Sequence, residues 1–242
     1  MVYFRKPGAY RNRRRYPHGG RKRCIGRGIR QLQSLSKDVQ QLSQFVNTEF
    51  KYYDVQQEGA PEPATIPQAT ADSPARLFFT LNNIPQGTQV SQREGNSIKI
   101  KSLQHKCVMT NPSDVAVRVR CIWYLYLRPG PESDNVAIGD LLQLGTSSTV
   151  KPIIAPRNLG NRSRFVILKD TTYRLEPQGM VGEQKVIKWF KRWSRGFHTV
   201  WYDNGTEITK NLLGCMYFCD NDATSATTPV MECYNRIRYI DN

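Results

Sequence analysis

Eleven of the first thirty residues are basic: Arg5, Lys6, Arg11, Arg13, Arg14, Arg15, Arg21, Lys22, Arg23, Arg27 and Arg30. None of the thirty is acidic. The chemistry open to such a run is the binding of a polyanion, because each cation that neutralises a phosphate releases condensed counterions. Tyr3, Phe4, Tyr10 and Tyr16 stand among the arginines, and aromatic rings in a cationic setting stack on unpaired bases. A segment of like charge rich in Gly, Tyr and Asn cannot bury enough apolar surface to fold alone, so residues 1–30 are expected to stay disordered until a polyanion meets them. Such an arm holds no fixed geometry against base edges, which argues against sequence-specific readout. The clusters Arg13-Arg14-Arg15 and Arg21-Lys22-Arg23 also have the form of a nuclear-import signal read by host import receptors.

Residues that could make or break bonds are sparse. His18 falls in the basic run, and His105 and His198 fall in strand-like segments, where packing or surface roles outweigh that of a general base. No phosphate-cradling glycine loop, Gly-x-Ser-x-Gly or His-Glu-x-x-His occurs. The cysteines, Cys24, Cys107, Cys121, Cys215, Cys219 and Cys233, form no Cys-x-x-Cys. On one strand Cys215 and Cys219 stand about 13 Å apart, too far to share a zinc. Free buried thiols are the expectation, and Asp220 and Asp222 read as a solvated turn. The chain is therefore expected not to be an enzyme and to hold no metal or cofactor. A nuclease on a β scaffold is the enzyme reading set against this.

The formal charge is +15 over 242 residues, yet residues 31–242 hold 24 basic against 20 acidic residues. The picture is a near-neutral body carrying a polycationic arm. Its longest strongly apolar run, Cys121 to Leu127, is far below the roughly 20 residues that span a bilayer. No apolar stretch follows the basic start, so neither membrane nor secretory signal is expected.

The elements that must position these groups change character along the chain. Leu32, Leu35, Val39, Leu42 and Val46 are spaced 3, 4, 3, 4 as in a heptad seam. With no Gly or Pro from Gln31 to Glu58, the reading is an amphipathic helix over residues 31–56. A seam of about three heptads is marginal alone, so it is expected to pack on its own domain or to associate with the same helix of neighbouring subunits. Residues 57–75 hold four prolines, small residues and acids, and read as a linker.

From residue 76 to 242 the period becomes two. Val115, Val117, Val119, Cys121, Trp123, Leu125 and Leu127 share one face of a strand ended by Pro129-Gly130-Pro131. Ser97 to Thr110 is strand-like, with its apolar phase slipping between Ile100 and Leu103 as at a bulge. Further strands are expected near 136–144, 164–176, 185–193, 197–203, 211–220 and 230–240, with an extra edge strand at 76–84. Many strands and no convincing helix make this an all-β domain, a β-sandwich or single eight-stranded jelly roll.

The basic Tyr/Arg-rich start, the opening Gln92-Arg93-Glu94-Gly95-Asn96-Ser97-Ile98-Lys99-Ile100-Lys101-Ser102-Leu103, the stretch Arg164 to Asp170 and the ending Asn235-Arg236-Ile237-Arg238-Tyr239-Ile240-Asp241 together resemble coat proteins of small viruses. Two groups share the pattern: circular, Rep-encoding single-stranded DNA viruses, and the satellite necrosis viruses of plants, whose genome is RNA. The resemblance covers roughly 90–242. It implies a single viral jelly roll, strands B to I, in a small icosahedral (T=1-like) shell of about sixty copies. The N-terminal arm would lie inside and package a single-stranded genome, with DNA favoured over RNA, and the protein would occur in the virion and, during assembly, the host nucleus. The Pro-rich 57–75 segment departs from the satellite pattern. A cellular nucleic-acid-binding module built on a β-sandwich is the rival reading.

Overall fold

Every residue of Leu212–Cys219 is buried, although this segment holds a glycine and two cysteines. Burial on both sides places it in the middle of a sheet between two neighbours, and the pairing agrees. The structure, a computed structural model, describes residues 31–39, 50–56, 63–70, 75–130, 136–144, 151–202, 205, 207–221 and 228–241. Chain contacts divide it into two units, Met1–Thr48 and Glu49–Asn242.

In the first unit, residues 31–39 form helix α1, where Leu32, Leu35 and Val39 are exposed. Leu42 and Val46, the rest of the seam, lie outside the described residues.

In the second unit the strands are β1 (Phe50–Gln56), β2 (Ala64–Thr65), β3 (Leu77–Thr80), β4 (Ser97–Thr110), β5 (Val117–Tyr126), β6 (Phe165–Leu175), β7 (Gln184–Trp201), β8 (Ile208–Lys210), β9 (Leu212–Cys219) and β10 (Val230–Asp241), with a short helix α2 (Ile138–Leu141). One sheet runs β1-β10-β4-β7-β8, with β2 also paired to β10, and the other runs β3-β9-β5-β6. Set aside the short β2 and β8 and letter the eight long strands B to I in chain order. The sheets then read B-I-D-G and C-H-E-F, the order of a jelly roll. The all-β expectation holds in this form.

The two sheets meet over Ile98, Ile100, Leu103, Cys107 and Met109 of β4 and Val119, Cys121 and Trp123 of β5, all at most 2 % exposed. At the centre His105 bridges them. Its ring lies 5.0 Å from that of Trp123, edge to face. Its Nδ1 donates to Asn235 Oδ1 at 2.6 Å, which leaves Nε2 to accept from the Tyr217 hydroxyl at 3.2 Å. Burial pushes its pKa down to about 4, so this histidine is a neutral core connector. Cys107, Cys121, Cys215, Cys219 and Cys233 are free thiols, and burial raises the pKa of each.

Several boundaries differ from the sequence reading. The expected 31–56 helix does not extend through Phe50–Gln56, which is strand, and the compact β unit starts at Glu49, not at residue 76. The last heptad position was Val46, whereas Phe50–Gln56 is rich in aromatics and pairs with β10 along its whole length. The 57–75 segment is no free linker where it is described: β2 pairs with β10, Ile66 and Ala69 are buried, and Ile66 N–H donates to Pro229 O. The 76–84 segment contributes β3, an integral strand paired to β9. Residues 136–144 contain α2 in place of a strand, with Ile138 and Leu141 buried. The segments 185–193 and 197–201 belong to one strand, β7, interrupted by a bulge opposite Ile100/Ser102. Gly196 there has φ +69°, and a Cβ would meet Ile100 O at 2.7 Å, so only glycine fits the kink.

The second face of β5 is buried beyond the exposed Arg118. Arg120 is 6 % exposed, and Ile122 and Tyr124 are at most 1 %. Arg120 Nε and Nη2 each donate to Asp170 at 2.9 Å, while Nη1 donates to the carbonyls of Pro152 and Ala155 at 2.9 and 2.8 Å. One guanidinium thereby ties the loop after α2 onto the β3-β9-β5-β6 sheet.

Candidate nucleic-acid interface

The arm residues Arg5, Lys6, Arg11, Arg13, Arg14, Arg15, Arg21, Lys22, Arg23, Arg27 and Arg30 lie outside the described residues. The described part of the chain carries a second cationic region, which the sequence reading did not identify. It is the outer face of the B-I-D-G sheet.

Alternation creates this face. On β4 the residues Leu103, His105, Cys107 and Met109 point to the core, so Ser102, Gln104, Lys106 and Val108 point out. Register extends each outward residue into a row across the sheet. Tyr52, Arg238, Ser102 and Arg192 form one row; Asp54, Arg236, Gln104 and Phe190 form the next; Tyr234, Lys106 and Lys188 form a third. Beyond the bulge Lys99 pairs with His198, and Val200 pairs with Lys210. Against these cations the face offers the carboxylates of Asp54 and Glu232.

The electrostatics report the crowding. Burial, then Lys99, Lys210 and Lys101, hold the His198 pKa below its ordinary value. Burial, then Lys99 and Arg192, do the same to Lys101. Asp54 is held below the usual carboxylate range by hydrogen bonds from Arg236, whose Nε and Nη2 reach its two oxygens at 2.7 and 2.8 Å. The same guanidinium sits 5.2 Å from the Tyr52 ring centroid and 5.6 Å from that of Tyr234. This fork-to-fork pair, stacked between two rings, fixes the orientation of Tyr52.

Between the rows lies a cleft of about 390 Å³ lined by Tyr52, Ser102, Gln104, Phe190, Arg236 and Arg238. Two rings in it face solvent: Tyr52 is 47 % exposed and Phe190 62 %. Cations, amide and aromatic rings on one sheet face are the groups that hold phosphates and stack bases in single-stranded nucleic acid recognition.

Other predicted positions fall elsewhere. His105 is packed in the core and His198 is exposed on the outer face. Asp220 accepts from the backbone N–H and Nε of Arg118, both at 2.7 Å, so it caps a strand, while Asp222 lies outside the described residues. A sequence signal for the outer face did exist: Lys188, Phe190 and Arg192, like Arg236 and Arg238, recur at period two.

No family model matches the sequence, and no curated protein matches it. Among solved structures, a chain from Desmodium yellow mottle tymovirus is similar over 80 % of this chain and 87 % of that one, at 9 % identity and a TM-score of 0.36.

Proposed function

We propose that the chain is a viral capsid protein that self-assembles into a small icosahedral shell and packages a single-stranded genome, with circular DNA as the favoured cargo. The observation that carries this reading is the joining, in one chain, of a B-I-D-G/C-H-E-F jelly roll to an arm with eleven cations in thirty residues. A jelly roll alone does not select a function, and a basic tail alone marks only affinity for polyanions. Together they supply a shell wall and a means of neutralising what the shell encloses.

The quantities agree with a small genome. A closed shell of about sixty copies brings about 660 arm charges, which suits roughly 1 kilobase by charge matching, or two to three with other cations. In this reading the Leu32, Leu35, Val39, Leu42 and Val46 seam is buried by the same helix of neighbouring chains, and the two arginine clusters also serve nuclear import.

The test is the nuclease sensitivity of nucleic acid recovered with the purified chain. Material protected in intact particles and, once released, destroyed by DNase and not by RNase is expected. The reverse sensitivity would replace the DNA reading with a satellite-type RNA coat protein. Unprotected nucleic acid bound to monomers or dimers would favour a cellular binding module.

A further inference from the structure

We propose that the outer-face cleft between Tyr52 and Phe190 is a second, structured nucleic-acid site, in which an unpaired base stacks on Phe190 while Arg238, Lys106, Lys188 and Arg192 meet the flanking phosphates. The inference rests on the reading above only in the choice of ligand.

Phe190 carries the argument. It is 62 % exposed, an unusual state for phenylalanine in mid-strand. Its same-face neighbours along β7 are Lys188 and Arg192, each about 6.6 Å away at 3.3 Å per residue. A ring flanked at this spacing by two cations matches one base with a phosphate on either side. Gln104, directly across on β4, presents an amide with both donors and an acceptor beside the stacked base. Tyr52 stands three strand spacings from Phe190, about 14 Å across the sheet, within reach of a nucleotide about two positions along the same strand. The Asp54–Arg236 pair holds that ring in place and is neutral as a unit, so the cations left to meet phosphates are Arg238, Lys106, Lys188 and Arg192.

Charge also decides against the alternative occupant. A second copy docking by the same face would bring Arg238, Lys106, Lys188 and Arg192 against their own kind, and like charges across an interface are costly. Stacking tolerates any base, because every base has a π-face. The site is therefore expected to hold strands without reading their sequence.

The test uses unassembled full-length chain and two probes, a short fluorescent oligo(dT) and an abasic oligonucleotide of equal length. The parent chain should bind oligo(dT) more tightly. Phe190→Ala should lower oligo(dT) affinity about tenfold, in the range for losing one stacked base, and leave abasic binding unchanged. Phe190→Trp should restore the preference. Arg238→Ala should weaken both probes and reduce the salt dependence by about one phosphate contact. Changing Arg13, Arg14 and Arg15 to Gln tests the arm separately: both affinities should fall while their ratio persists. Equal binding of the two probes by the parent overturns the cleft proposal whatever the arm does. So does a Phe190→Ala chain that assembles poorly but keeps its base preference, which would make the cleft a contact between copies.

Discussion

A chain lacking residues 2–28 is expected to fold and to enclose little or no nucleic acid. The first expectation follows from the domain division: the sandwich begins at Glu49, and every described residue of its core cluster lies beyond that point. The second follows from charge. The deletion removes every arm cation except Arg30, or about 600 of the roughly 660 arm charges at sixty copies. Neutralisation by counterion release scales with the number of phosphate contacts, and the outer-face cations cannot make up so large a loss. The ratio of ultraviolet absorbance at 260 and 280 nm in purified particles measures the effect. It should fall to that of protein alone, with the β-rich circular dichroism unchanged. Particles as full as those of the parent would remove the arm from packaging.

Asp170→Ala is expected to be the most damaging single change in the sandwich wall. Burial acts to raise the Asp170 pKa, but hydrogen bonds and charge from Arg120, then Arg157, outweigh it and hold the carboxyl below its usual range. Arg120 is itself buried, with a side chain only 7 % exposed. Removing the carboxylate leaves that guanidinium enclosed without a countercharge, which typically costs about 3–5 kcal/mol. The loop carrying Pro152, Ile153 and Ala155 would lose the fixed donor that anchors its carbonyls. Urea denaturation should show a lower midpoint with a nearly unchanged slope. A loss below about 1 kcal/mol would mean that the loop is held by its apolar contacts, Ile138, Leu141 and Ile153 among them.

How much of this was legible in the sequence depended on the face each residue shows. Strands β4, β5, β6 and β10 declare themselves through alternation, β9 through an apolar run between turn signals, and the β4 bulge through its phase slip. Strand β1 did not, because its inward positions include Lys51, which is buried only by virtue of its ion pairs to Glu94 at 2.8 Å and Asp241 at 3.1 Å. A charged residue at a core position hides the period. With no Gly or Pro to end the preceding helix, the segment read as helix. The β7 bulge similarly split one strand into two, since Gly196 suggests a break where the chain only kinks.

The cationic run of residues 1–30 can be read directly, because charge density is a local property of the sequence. The outer-face cleft was not, since it depends on register. Tyr52, Arg238, Ser102 and Arg192 are far apart in the chain, and only the pairing of β1, β10, β4 and β7 sets them in one row. Each cation alone reads as ordinary surface, and Tyr52 was assigned to the wrong element. The local signs were the period-two runs Lys188, Phe190, Arg192 and Arg236, Arg238.

The most direct test of the capsid reading is the mass of the purified full-length protein in solution, by sedimentation or light scattering. About sixty copies of a 27.8 kDa chain make a closed particle of roughly 1.7 megadaltons before cargo, and a narrow distribution at or somewhat above that mass is the predicted result. A stable monomer or dimer under all conditions of salt and added single-stranded nucleic acid would contradict it.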